Sequence, residues 1–295
     1  MIRLSWVVFL HAATLSIESI VIEALTTELH FGPLVIAANS IPIAGAILLL
    51  ITFAFQQERA FAVFSAWKYL LPGSILLAAG VFMWYDSVGR VGASKEGLLA
   101  GPLETIVILL LARAVLQEKL SRLQMAGAMI ALAGFFATVM SGSSSVHQAI
   151  TWGDIEAILS AAAFGSGIIF ISKLTKGYSA LSVTASSLSI SGLILAVTLW
   201  LNSTPKVTSS EWIVLLLFSM LPLSAALSYV MGLVRIGASL TSTIGSFSIL
   251  LTVAFQLALV SLGVKMLLPP NIPLAIAGGI LGVFGIYLIH TVDRC

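Results

Sequence analysis

The chain has 295 residues, of which 59% are hydrophobic and only 9% are charged, with a mean hydropathy of +1.10 and a net charge of +2. In soluble domains roughly a quarter of the residues are charged, so this composition excludes a mainly water-exposed surface and predicts an integral membrane protein. No run of basic residues interleaved with aromatics is present, so a nucleic-acid partner is excluded. The single cysteine, Cys295, excludes a disulfide framework and a cysteine-based metal site.

Apolar windows of about 20 residues, the length of a membrane-spanning helix, recur along the whole chain. They predict an all-α membrane protein with ten transmembrane helices, at residues 5–27, 33–54, 67–86, 92–113, 122–141, 152–173, 180–201, 212–232, 239–261 and 271–291. The connections are short, so we expect one multi-pass domain embedded in the lipid bilayer. The first span contains His11, Glu18 and Glu23 and lacks a small-residue cleavage site, which predicts a working helix rather than a signal peptide.

The loop charges predict the orientation of these spans. Of the 14 Lys and Arg residues, ten fall on the side of the N-terminus. The other side has Arg90, Lys95, Lys206 and Lys265. The positive-inside rule therefore predicts that both termini lie in the cytoplasm, with the protein in the plasma (inner) membrane.

The two halves of the chain resemble each other. Three segment pairs match in the same order: residues 88–94 with 233–239 at an offset of 145, 34–49 with 181–196 at 147, and 126–134 with 277–285 at 151. The rising offset predicts about six extra residues in the second half, near residues 265–273. The matches divide the chain into two five-helix repeats, residues 1–145 and 146–295.

Because each repeat has an odd number of spans, the second repeat is expected to be inverted. The loop with Arg90 then lies outside and its equivalent with Arg235 lies inside. Two similar, inverted halves can exchange their conformations, which converts an outward-open cavity into an inward-open one. The repeat therefore predicts a secondary transporter that works by alternating access.

Several short motifs also carry a family resemblance. Gly-Ala-Ser at 92–94, Gly-Pro-Leu-Glu at 101–104, Leu-Gln-Glu-Lys-Leu at 116–120 and a Gly-rich last helix resemble the EamA-type branch of the drug/metabolite transporter (DMT) superfamily. The resemblance covers essentially the whole chain and implies a ten-helix transporter of small organic molecules such as amino acids, sugars conjugated to nucleotides, or amines. The second repeat departs from the pattern, because Ser-Phe-Ser-Ile at 246–249 replaces Gly-Pro-Leu-Glu. The role of the Gly-Pro-Leu-Glu motif is therefore expected in the first repeat and not in the second.

Ionisable residues near the centre of the bilayer are the main candidates for a site, because each costs about 2.5 to 3.5 kcal/mol to insert. At about 1.5 Å per residue, Glu18 and Glu104 lie within roughly 5 Å of the predicted midplane. His11 precedes Glu18 by seven residues and shares its helix face. Carboxyl groups in a buried cavity can take up a proton from one side and release it to the other. We expect Glu18, Glu104 and His11 to form a proton-coupled or cation-binding site, unless hydrogen bonds make them purely structural.

A second predicted layer lies about 10 Å nearer the outer surface and contains Glu23, Lys95 and Glu96. Lys95 is expected either to pair with Glu23 in a closed outer gate or to bind the carboxylate of a zwitterionic substrate. A static ion pair, or a lysine that snorkels to the surface, is the alternative.

The segment that carries these charges also contains Gly97, Gly101 and Pro102. A proline bends a helix because it has no N–H group, and glycines four residues apart permit a hinge or a close helix contact. We therefore expect a bent helix that lines a polar cavity.

The sequence thus predicts a secondary active exporter or exchanger of a small organic metabolite, coupled to protons or to a counter-substrate. Lys95 beside acidic groups favours an amino-acid-like substrate, which the sequence predicts first, whereas the surplus of buried carboxylate favours the alternative, an organic cation or amine. No GxxxxGK[ST], HExxH or GxSxG motif is present. Neither ATP hydrolysis nor an intramembrane enzyme is therefore expected, and no cofactor or metal is predicted.

Overall fold

The computed structural model describes residues 5–56, 61–116, 122–141, 150–202, 207–269 and 271–291, and in these ranges every regular element is helical. The helices are α1 (Ser5–Thr27), α2 (Pro33–Gln56), a short 3₁₀ helix (Ala62–Ala66), α3 (Trp67–Val91), α4 (Ala93–Leu116), α5 (Arg122–Ser141), α6 (Trp152–Leu174), α7 (Ala180–Leu201), α8 (Ser209–Phe218), α9 (Met220–Gly245), α10 (Phe247–Ser261) and α11 (Ile272–Thr291). The predicted repeat boundary at 145 and 146, and Cys295, lie outside the described residues.

Several of these helices have the length and composition of membrane spans. Within the described ranges there are six such segments: Trp6–Thr27, Pro33–Phe55, Ala62–Val91, Trp152–Leu174, Ala180–Leu201 and Ser209–Arg235. Three apolar helices are shorter: Ala126–Ser141, Phe247–Ser261 and Ile272–Leu288. Helix α4 is as long as these spans but carries more charge, with Lys95, Glu96 and Glu104 in its N-terminal half. Because ionised groups are costly in lipid, α4 lies inside the bundle, in contact with α6, α5 and α10.

Glycines bring α2 and α7 into close contact. A Cβ atom added to Gly45 would meet the backbone of Ser189, and one added to Gly192 would meet the backbone of Pro42. Residue numbers rise along α2 as they fall along α7, so the two helices are antiparallel. Gly45 corresponds to Gly192 and Pro42 to Ser189 at the offset of 147, which makes the contacts reciprocal. A two-fold axis therefore relates the two helices.

The last helix of each half repeats this arrangement. A Cβ atom on Gly134 of α5 would meet Gly278 and Gly282 of α11, and one on Gly285 would meet Ala131 of α5. These contacts are also antiparallel and reciprocal at the offset of 151. Helix α3 packs along α6, and α1 packs along α9, as the same symmetry requires. The inverted relation of the two repeats is thus built into the helix contacts.

The two halves differ at the loops that the sequence predicts around Arg90 and around Arg235. In the first half, Gly92 adopts a φ of 86° and separates α3 from α4. The predicted loop around Arg235 is wrong, because α9 continues as a helix through this position to Gly245. The break at Gly92 has a physical cause: Glu23 of α1 accepts a hydrogen bond from Ala93 N at the start of α4. Helix α6 has the same length as α1 but carries Phe170 at the corresponding position, so no carboxylate is available there.

Candidate functional site

A cavity of about 220 Å³ lies in the interior of the bundle, between the two halves. Helices α1, α4, α6, α7 and α9 supply most of its wall, and most of the wall is apolar. The ionisable side chains that line it are His11, Glu18, Glu96, Glu104 and Tyr229. Among the described residues around the cavity there is no lysine or arginine. The site is therefore an acidic pocket within an apolar enclosure.

Helix α4 presents one continuous face to this cavity. Glu96, Ala100 and Glu104 are spaced four residues apart, and Gly97 and Gly101 lie beside them. A Cβ atom on Gly97 would meet nothing within 4 Å, whereas one on Gly101 would collide with the side chain of Ile249 in α10. Gly97 thus leaves open space in the cavity, and Gly101 permits a close helix contact.

Pro102 lies inside α4 but does not line the cavity. It faces α11, because a Cβ atom on Gly282 would meet its ring. Its missing N–H leaves the carbonyl of Leu98 without the usual helical hydrogen bond. The proline therefore interrupts the ladder of α4 between the two acidic residues of the cavity face.

The three cavity carboxylates differ in their partners. Glu18 accepts a hydrogen bond of 2.7 Å from the hydroxyl of Tyr85, which is fully buried. The indole of Trp84 lies within hydrogen-bonding reach of Glu96. For Glu104 no hydrogen-bond donor is found among the described residues, and the phenol ring of Tyr229 is one of its neighbours in the cavity. Glu104 is thus the least satisfied carboxylate of the site.

His11 lies in the cavity wall, as the sequence predicts. Its Nδ1 is 2.8 Å from the carbonyl oxygen of Ala225, and its ring centroid is 4.8 Å from that of Tyr229. A carbonyl only accepts, so Nδ1 donates and Nε2 is left to accept a hydrogen bond or a proton. His11 therefore fixes α1 against α9 and keeps one nitrogen free for chemistry.

Two hydroxyl groups at the cavity are buried without a partner in the described part of the chain. They are Ser160 Oγ, on a residue that is 1% exposed, and Tyr229 Oη. Other cavity hydroxyls are satisfied, for example in the 2.9 Å contact between Thr105 and Ser242. Unpaired buried polar groups cost free energy, and a bound polar ligand can remove that cost.

Lys95 and Glu23 are not part of the cavity wall. Lys95 is 4% exposed, and its Nζ lies 2.6 Å from Oδ1 of Asp154 in α6. Asp154 also caps α6, because Thr151 N donates to its Oδ2 at 2.8 Å. The predicted pair between Lys95 and Glu23 is absent from this structure. The Thr151 to Asp154 capping box is visible in the sequence, but no local pattern indicates the partner on α4.

Glu23 instead organises a set of hydrogen bonds that we call the Glu23 cluster, formed with Ala93, Ser94, Gln256 and Leu267. One carboxylate oxygen accepts from Ala93 N at 2.7 Å and from Gln256 Nε2 at 2.8 Å, and the other accepts from Leu267 N. Gln256 Oε1 accepts from Ser94 N at 3.0 Å. The cluster ties α1, α4, α10 and the linker to α11 together. That linker is where the sequence places the extra residues of the second repeat.

The Glu23 cluster closes one end of the cavity. On α1 the wall ends at Ser19, one turn before Glu23, and on α10 it ends at Thr252, one turn before Gln256. At the opposite end the wall reaches Ile171, in the last turn of α6. The cavity is therefore sealed at the Glu23 end and extends toward the other.

Comparison with known proteins agrees with this architecture. The model of the EamA-like transporter family matches residues 4–140 and again residues 151–291. A solved structure described as "Crystal structure of protein" has a TM-score of 0.70 at 17% identity, with 99% of each chain covered, which shows a shared fold. A search of curated proteins found no significant match. The resemblance read from the motifs is thus confirmed, and members of this family are transporters rather than enzymes. The chain belongs to the EamA-like transporter family of the DMT superfamily and is an integral, multi-pass membrane transporter.

Proposed function

We propose that this protein is a secondary active transporter of a small organic cation, working by alternating access and coupled to protons or to a counter-substrate. The observation that carries the proposal is the acidic cavity between the two repeats, which has three carboxylates and no lysine or arginine among its described wall residues. A charge moved into a low-dielectric site needs a partner there, and a cationic substrate provides one.

The alternative, an amino-acid-like zwitterion, depends on a positive group in the site. Lys95 is the residue that favoured it, but its ammonium group is paired with Asp154 and faces away from the cavity. A zwitterion would bring its carboxylate into a wall that already contains Glu18, Glu96 and Glu104. Like charges in an apolar enclosure repel, so the geometry favours an amine.

Glu104 is the proposed coupling residue. It lines the cavity, has no hydrogen-bond donor among the described residues, and has Ile249 at the equivalent position of the other repeat. A carboxylate without fixed partners can exchange a proton for a cation, whereas a carboxylate held by several donors cannot do so without breaking them. Glu18 and His11 supply further proton-binding groups in the same cavity.

We further propose ten membrane spans in two repeats, residues 1–145 and 146–295, with both termini in the cytoplasm of a plasma (inner) membrane. The excess of Lys and Arg on the side of the N-terminus supports this orientation. In a Cys295→Ser background, cysteines introduced at Lys176 and Asn202, at opposite ends of α7, test it. We expect an impermeant reagent to label Asn202→Cys from outside and Lys176→Cys only after lysis. Labelling of Lys176→Cys in intact cells contradicts the orientation.

Transport in proteoliposomes tests the function. We expect uptake of a labelled organic amine to be driven by an imposed pH gradient, because protons and amine exchange at the same carboxylate. Glu104→Gln should abolish the dependence on the gradient, and Glu18→Gln should only weaken it. Full gradient-driven uptake by Glu104→Gln, together with its loss in Glu18→Gln, assigns the coupling to α1 instead. Transport of neutral amino acids but not of amines contradicts the proposed substrate class.

A further inference from the structure

Two of the cavity carboxylates form a pair along a single helix. Glu96 and Glu104 are eight residues apart on α4, which places their backbones about 12 Å apart along its axis. Both side chains line the same cavity. The cavity is therefore acidic at two separate points of one wall.

Between these two points, the wall that α4 contributes to the cavity consists of small residues. Gly97, Ala100 and Gly101 are the cavity residues of α4 that separate the two glutamates, and none of them carries more than a methyl group. The space beyond Gly97 is open, since a Cβ atom there would meet no atom within 4 Å. An apolar chain can lie along this stretch, because the wall of α4 carries no bulky side chain there.

Each acidic point has its own aromatic side chain. Trp84 lies beside Glu96, and Tyr229 lies beside Glu104. Trp84 and Tyr229 are 145 residues apart, the offset that relates α3 to α9, so they occupy equivalent positions in the two repeats. Aromatic faces attract organic cations, which adds to the attraction of the carboxylates. The duplicated scaffold thus supplies two aromatic groups, and α4 alone supplies both charges.

Unpaired polar groups in the same cavity point to a bound ligand. The hydroxyl of Ser160 is buried and has no partner among the described residues, and the same holds for Tyr229 Oη. Both groups can accept hydrogen bonds from an ammonium group. A ligand with one positive charge would leave one end of the acidic wall without a partner.

We infer that the site takes a slender dication, an aliphatic α,ω-diamine, with one ammonium group at Glu96 beside Trp84 and the other at Glu104 beside Tyr229. This inference rests on the proposed function and specifies its substrate. The apolar chain between the ammonium groups lies along Gly97, Ala100 and Gly101. The separation of the carboxylates sets an optimal chain length, and diamines that are too short reach only one of them.

The test compares binding of α,ω-diamines, from butane to decane, with binding of n-alkylamines of the same lengths, measured by calorimetry on the purified full-length chain. We expect diamines to bind more tightly, with an optimum in length that the monoamines do not show. Glu96→Gln should weaken diamine binding at least about 30-fold and monoamine binding much less, so that the preference for diamines over monoamines is lost. Thermal unfolding of the variant, compared with the parent, checks that it is folded. Gly97→Ile, which keeps both carboxylates but fills the path between them, should weaken the diamines more than the short monoamines, whose tails do not reach Gly97.

The outcomes separate this inference from the proposed function. Equal affinity for diamines and monoamines, or diamine affinity that Glu96→Gln does not change, overturns the two-point site but leaves a transporter of monovalent amines. Binding and transport of neither class overturns both. Diamine binding that falls equally in Glu96→Gln and in Glu28→Gln, an exposed residue beyond the end of α1, also counts against the site.

Discussion

Glu23 and Glu104 are both glutamates inside the helix bundle, but their surroundings are opposite. Glu23 is fully buried, and its two oxygens accept hydrogen bonds from two backbone N–H groups and one amide side chain. Glu104 faces the cavity and has no hydrogen-bond donor among the described residues. At Glu23, hydrogen bonds within the protein offset the free-energy cost of burying the carboxylate. At Glu104 they do not, so that carboxylate can bind a ligand or a proton. Partners, rather than depth in the membrane, therefore distinguish the structural Glu23 from Glu104, the residue that we propose to be functional.

Breaking the ion pair at the closed end should have the largest effect on stability. Lys95→Met leaves Asp154 buried without its cation, which we expect to lower the free energy of unfolding by about 3 to 5 kcal/mol. Adding Asp154→Asn should recover most of the loss, since the amide oxygen can still accept the capping hydrogen bonds. Thermal unfolding in detergent measures both variants, with the exposed Lys68→Met as the control. If the single variant is as stable as the parent, the pair has no structural role.

Changing the central residue of the Glu23 cluster should cost less. In Glu23→Gln one oxygen is replaced by an NH₂ group that faces a backbone donor, so we expect a loss of about 2 to 3 kcal/mol. The variant should also open the sealed end and admit a thiol reagent to a cysteine placed at Ser19, with Glu28→Gln as the matched control. A variant with full stability and an inaccessible Ser19→Cys shows that the cluster does not hold this end closed.

The cavity carboxylates should be the most tolerant of the change to an amide. Glu104→Gln removes no hydrogen bond found in the described residues, so the free energy of unfolding should change by less than about 0.5 kcal/mol. Glu18→Gln should be nearly as mild, because its amide oxygen can still accept from the hydroxyl of Tyr85. The same thermal unfolding assay measures both. A loss above about 2 kcal/mol in Glu104→Gln would place it in the structural class with Glu23.

The architecture could be predicted from the sequence because its causes are periodic and local. Apolar windows locate the helices, and repeated glycines such as Gly45 and Gly192 locate the contacts between the halves. The same reasoning failed at Arg235. Segments 88–94 and 233–239 share four of their seven residues. Only the first is interrupted, because its helix start is bound by a carboxylate about 70 residues earlier in the chain.

The sequence indicated which ionisable residues line the cavity but not their pairings. Glu18, Glu96, Glu104 and His11 all line the cavity, because burying ionisable groups in an apolar span leaves few other places for them. Lys95 and Glu23 share a predicted depth but point to different neighbours, and depth along a helix says nothing of direction around it. Gln256 and Tyr229 could not be recognised, since an amide or a phenol in an apolar helix is compatible with many roles.

The Glu23 cluster exists at one end of a scaffold that is otherwise duplicated, and this has an energetic consequence for the transport cycle. Phe170 stands at the position equivalent to Glu23, so the described residues of the opposite end have no carboxylate there to form a matching set of hydrogen bonds. A conformation with the hydrogen bonds of the Glu23 cluster and one without them differ in free energy. Each 1.4 kcal/mol of that difference changes the ratio of their populations about tenfold. If the protein works by the alternating access that we propose, it should rest without substrate in the conformation in which the Glu23 cluster is formed. In the proposed cycle, the gradient would then supply the free energy to break the cluster only in the half-cycle that opens the sealed end.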